Sequence, residues 1–234
     1  MQAPTGDDLI ARILTYPADD AGLGVLANDL LDEFHAGYPV TNLRTLLHSG
    51  DAKLVRTGAW LLSELGEPAG ELIGEVSALL AGPLRQVRFL AIDVVLVTAQ
   101  SWNGPLIAQV MELGADPESS VRWKVLGFLA DATTEQLTAG AVSLAPGRVK
   151  EQAEWLVRHD DEEPDPQDVV TRLAGPDPLA RLFAAAVAAR WADEQPDLLL
   201  RATAVPDEEI SSFARAWLEE AAADEDEDEP PPAG

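Results

Sequence analysis

The sequence predicts an all-α protein, a right-handed α-solenoid of about five to six helical pairs with a disordered acidic C-terminal tail. Three observations predict it. A two-helix phrase recurs with a period in the low thirties. Cap and turn residues stand where each pair of helices must begin and end. No stretch shows sustained period-two alternation bounded by turn signals, so no sheet is expected. The expected division is a capping segment of two helices over 1–42, a repeat array over 43–222 and a disordered tail over 223–234.

Residues 1–42 carry helices near Asp7–Leu14, ended by Tyr16-Pro17, and near Leu23–Phe34, with Leu26, Leu30 and Phe34 on one stripe. This segment lacks the repeat phrase, as a terminal repeat should, because no neighbour covers its outer face.

From Leu43 onward six copies align on one step, an apolar residue followed by a basic one: Val55-Arg56, Val87-Arg88, Val121-Arg122, Val149-Lys150, Ala180-Arg181 and the weaker Ile210-Ser211. Their spacings are 32, 34, 28, 31 and 30 residues. The phrase is clearest in Leu113–Ala132. There Gly114 can close one helix in the left-handed conformation, Asp116 can cap the next, and Pro117 suits its first turn. Val121, Val125, Phe128, Leu129 and Ala132 share the buried face. The first helix of each pair is shorter: Glu71–Leu80, Pro105–Leu113, Glu135–Leu144, Asp168–Ala174 and Asp197–Ala202. Thr133-x-x-Gln136 is a capping-box pattern, and Asp165-Pro166 and Asp177-Pro178 place an acidic cap before a proline. The fourth copy, Ser143–Asp160, lacks the Asp-Pro turn and shortens the spacing.

The net charge is −25, and −12 of it falls in residues 193–234. Such a field repels nucleic acid and anionic membranes and favours basic partners. The tail from Ala223, with six acids in a row from Asp224 to Glu229, has nothing apolar to bury. There is no cysteine, which removes disulfides and thiolate metal sites and suits a reducing compartment. The N-terminus lacks a basic, apolar leader and no run is long enough to span a bilayer, so a cytoplasmic location is expected. Three lysines against thirteen arginines, with abundant alanine, suggest a bacterial genome of high GC content.

Gly50-Asp51 with Val55-Arg56, and Asp116-Pro117 with Val121-Arg122, resemble the HEAT repeat family; the resemblance covers about residues 43–221. It implies a protein-binding scaffold whose second helices line a concave face. With Val121 at the centre of the buried face and a turn of about 100° per residue, Trp123 and the matching Phe89 point outward, Glu151 continues the row, and Trp60 and Trp155 flank it. These five are the candidate partner-binding residues; inter-repeat packing is the competing reading, the favoured one for Phe89 and Trp123.

No catalytic, cofactor or metal site is expected. His35, His48 and His159 read as solvated turn histidines without metal-ligand spacing. The loop Asp160–Asp168 reads as a solvated linker, since its spacing is not that of an EF-hand. No nucleotide loop or nucleophile elbow occurs. The basic residues Arg56, Arg88, Arg122, Lys150 and Arg181 form a ladder. It is read as structural, bonding neighbouring-repeat carbonyls or carboxylates such as Asp51 and Asp116, rather than as an anion-binding groove. The expected function is a non-enzymatic scaffold for a protein with a basic surface. An immunity- or inhibitor-type protein that captures a basic toxin by electrostatic steering is the concrete form. The alternatives are a DNA glycosylase-like HEAT-repeat enzyme, which needs a basic cleft with a carboxylate in it, and a structural adaptor. The sequence leaves partner identity and oligomeric state open.

Overall fold

The computed structural model describes residues 5–16, 22–161 and 165–228, and among them every regular element is a helix. The all-α class follows. None of the described helices is long and apolar enough to cross a membrane. The chain divides into two compact units, Met1–Ala99 and Gln100–Gly234, a boundary that the repeat phrase does not mark.

The first unit holds α1 (Gly6–Leu14), α2 (Gly22–His35), α3 (Arg44–Leu47), α4 (Ala52–Glu64), α5 (Ile73–Leu80) and α6 (Arg85–Thr98). Short 3₁₀ turns at Val40–Leu43 and Glu67–Leu72 lead into α3 and α5. Local chemistry sets the starts. Thr5 and Asp8 form a capping box on α1, and the Asp51 carboxylate accepts the Lys53 N–H at 2.8 Å on α4. α1 packs on α2, α2 on α4, and α4 on both α3 and α6. Leu9, Ile13, Leu30, Leu43, Leu61, Leu62 and Leu72 fill the interior, each no more than 1 % exposed. Gly58 permits the α3–α4 crossing: a Cβ there would lie 3.0 Å from the Leu46 Cβ and 3.2 Å from the Leu47 nitrogen.

The second unit holds α7 (Gly104–Glu112), α8 (Ser119–Asp131), α9 (Thr134–Ser143), α10 (Arg148–Asp161), α11 (Pro166–Leu173), α12 (Pro178–Arg190), α13 (Pro196–Ala202) and α14 (Glu208–Asp228). The Thr133–Gln136 capping box forms, and Asp165 and Asp177 cap α11 and α12 as expected. α12 is the organising element. Every residue from Leu182 to Ala189 is buried, so the helix is covered on all sides. Its alanines let α8, α10, α11, α13 and α14 all approach it.

Two expectations are corrected. Gly114 is not left-handed; among the described residues only Gly37 and Gly66 have positive φ. It lies in a 3₁₀ turn, Leu113–Ala115, where a Cβ would come to 3.3 Å from the Leu179 side chain, so the glycine eases close packing there. Pro117 precedes α8, which starts at Ser119; the Asp116 carboxylate instead accepts the Glu118 N–H at 2.9 Å in the turn. The main neighbours of α8 are α12 and α14 rather than α10. α14, anchored by the buried Ile210, Phe213 and Ala214, runs through Asp228. Residues 229–234 lie outside the described residues.

Candidate binding surfaces

The basic ladder resolves into one repeated contact. In each case a basic side chain in the first turn of a helix reaches back six residues to a carbonyl just past the end of the preceding helix. Arg88 Nη1 donates to Gly82 O at 3.0 Å and Arg122 Nη1 to Asp116 O at 2.7 Å. Lys150 Nζ donates to Leu144 O at 3.1 Å and Arg181 Nη1 to Gly175 O at 2.6 Å. These carbonyls are the orphans every helix C-terminus leaves, and a cation there also suits the helix dipole. Two of the arginines add a carboxylate at the start of α14. Arg122 Nε is 2.7 Å from Glu209 Oε1, and Arg181 pairs bidentately with Asp207, which pushes the arginine pKa up. These four make structural contacts, but the carbonyls belong to the same helical pair rather than to a neighbouring repeat, and the carboxylates are Asp207 and Glu209 rather than Asp51 or Asp116.

The candidate partner-binding residues are divided between the two units, Trp60 and Phe89 in the first and Trp123, Glu151 and Trp155 in the second. Trp155 is 2 % exposed. Its indole N–H donates to Asp168 at 2.7 Å, and the Arg172 guanidinium stacks 4.1 Å from its ring centroid. It belongs to the packing of the second unit. Trp123 is half-buried and meets Phe213 edge-on, with ring centroids 6.1 Å apart. The residue of α12 that follows the basic step as Trp123 follows Val121-Arg122, Leu182, is buried. Phe89 and Trp60 are half-buried in the first unit, and Glu151 is exposed on α10.

Two histidines have partners that spacing could not show. His48 Nε2 lies 2.7 Å from Glu75 Oε2, and Arg44 Nε donates to the other Glu75 oxygen at 2.8 Å. Arg44 and then His48 hold the Glu75 carboxyl below its ordinary range. His159 Nδ1 lies 2.8 Å from the Trp155 carbonyl. The described part of the acidic loop is also engaged in packing, because Asp160 accepts from Arg190 Nε and from the Thr134 hydroxyl, both at 2.6 Å. Glu162, Glu163 and Pro164 lie outside the described residues. Among those described, no cluster of three His, Asp or Glu could hold a metal ion.

Arg190 is a key residue that sequence reasoning missed. Its Nη1 donates to the carbonyls of Ala130 and Ala132 at 2.7 and 2.8 Å, closing the C-terminus of α8. No local signal marks it, because its partners stand about sixty residues away in sequence.

The first unit carries two grooves. One, of about 340 Å³, lies between the turns before α4 and α6, with Leu47, Val55, Leu79 and Leu84 as apolar walls and His48 and Glu75 at its edge. The other, of about 310 Å³, lies over α4 between α2 and α6 and is lined by Lys53, Arg56, Trp60, Asn28 and Gln86, with no Asp or Glu among its described lining residues. The sequence matches no protein-family model and no curated protein.

Proposed function

We propose that the chain is a non-enzymatic helical scaffold that binds a protein with a basic surface, in the manner of an inhibitor or immunity protein. The observation that carries this reading is the fate of the cations. Of sixteen Lys and Arg against forty-one Asp and Glu, the ladder cations Arg88, Arg122, Lys150 and Arg181 are bonded to backbone carbonyls. Arg190 is used in the same way. These cations are held in the fold's own contacts, while acids such as Glu151, Asp197 and Glu208 face solvent. With a net charge of −25, the exposed acids set up a field that steers basic proteins into encounter.

The test immobilises the full chain beside an acidic control protein of matched charge and passes host lysate over both at low and at physiological salt. A basic protein retained by the chain but not by the control, with association that slows steeply as salt rises, is expected. Retention of the same proteins on both surfaces would reject a specific scaffold. Tight binding of duplex or abasic DNA at physiological salt would replace this reading with the glycosylase-like one.

A further inference from the structure

Arg56 departs from its four counterparts on the ladder. The residue six positions back is Gly50, in the turn before α4, yet the Arg56 guanidinium makes no hydrogen bond or ion pair among the described residues. The sequence also offers it no carboxylate from the next helical start. Arg122 and Arg181 find carboxylates at the start of a later helix, whereas the turn before α6 reads Ala81-Gly82-Pro83-Leu84 and continues into Arg85-Gln86. No acid is available there.

Arg56 is half-buried, and its guanidinium presents five donors in a planar fork to a groove that it helps to line. The groove around it is built from three helices. Lys53, Arg56, Thr57 and Trp60 come from α4, Leu23, Ala27 and Asn28 from α2, and Gln86 from α6. Lys53 is fixed as a second positive charge, its Nζ 3.2 Å from the Tyr16 carbonyl and 5.7 Å from the centre of the Tyr16 ring. Trp60 follows Arg56 by one helical turn, so an aromatic ring and the guanidinium share one face of α4. Leu23 and Ala27 supply an apolar wall.

The geometry points to a binding site for a small oxyanion carried on a planar ring, held by the Arg56 fork with Lys53 in support and by stacking against Trp60. A guanidinium matches a carboxylate or a phosphate in two parallel hydrogen bonds. The volume of about 310 Å³ is at the small end for ligand sites and suits a bicyclic ring with one acidic group. The site is independent of any protein partner. An aromatic carboxylate and a nucleoside monophosphate share the required chemistry.

The experiment titrates the full chain with indole-3-acetate, with adenosine monophosphate and with the neutral indole-3-ethanol, read by calorimetry and tryptophan fluorescence. At least one anion should bind saturably at millimolar concentration or below, and the neutral compound at least about tenfold more weakly. Preference for indole-3-acetate identifies the aromatic carboxylate, and preference for the monophosphate identifies the nucleotide. Arg56→Gln should weaken binding by about tenfold or more with unchanged melting. Arg56→Lys, which keeps the charge and loses the fork, should weaken it less, and it serves if Arg56→Gln does not fold. Trp60→Phe should lower affinity and diminish the fluorescence response. The proposal is overturned if neither anion binds, if the neutral compound binds equally well, or if folded Arg56 variants bind as wild type does.

Discussion

Removing the Arg181 side chain should destabilise the second unit strongly. Arg181 is 9 % exposed, and its partner side chain, Asp207, is 13 % exposed. Its guanidinium donates twice to Asp207 and once to the Gly175 carbonyl, tying the turn after α11 to the turn before α14. Arg181→Met keeps the length of the stem and loses all three bonds. A carboxylate left unpaired in a buried pair costs about 3–5 kcal/mol. Some water still reaches Asp207, so about 2–4 kcal/mol is the expected loss, including the orphaned carbonyl. The double variant Arg181→Met/Asp207→Leu removes the stranded charge and should regain much of that loss. Urea unfolding followed by circular dichroism measures both, with the slope unchanged if only stability moves. The surface pair of Arg148 and Asp177 is the control, and Arg148→Gln should leave the midpoint nearly unmoved. The reasoning fails if Arg181→Met costs less than about 1 kcal/mol, or if the double variant is no more stable than the single one.

Phe128 is 1 % exposed in α8, so Phe128→Ala should cost about 3–5 kcal/mol by the same unfolding assay; a loss below about 1 kcal/mol would contradict its burial. A Cβ on Gly104 would come within 2.7 Å of the Ala139 carbonyl oxygen, so Gly104→Ala should cost at least about 1–3 kcal/mol, whereas Gly24→Ala meets nothing within 4 Å and should be neutral or slightly stabilising. Equal melting temperatures for the two alanine variants would refute that contrast. Tyr38 donates its phenol proton to Asp7, and burial followed by this bond pushes its pKa from 10.0 up to about 12. The folded state therefore holds that proton more tightly than the unfolded chain does. The resulting stability is full below pH 10.0 and is lost as pH rises through about 12. Tyrosinate absorbance should show one of the two tyrosines titrating late, and Tyr38→Phe should abolish that step.

The sequence by itself determined the helices and much of their punctuation. The Thr133–Gln136 box and the Asp165 and Asp177 caps are local, so residue type and spacing suffice to place them. The ladder was legible for the same reason, because a first-turn cation reaching a carbonyl six residues back never leaves its own helical pair. Tertiary structure decided the rest. Whether Trp155 faces solvent or the interior depended on Asp168 and Arg172 arriving from the following segment, and helical period alone put it on the flank of an outward row. Gly114 looked like a left-handed cap, but its small size serves Leu179 on α12. The pairing of α8 with α12 and α14, and the closing of α8 by Arg190, join residues about sixty to ninety apart in sequence. A periodic pattern states which face of a helix is apolar and is silent on which distant helix covers it, since many apolar faces satisfy the same hydrophobic requirement.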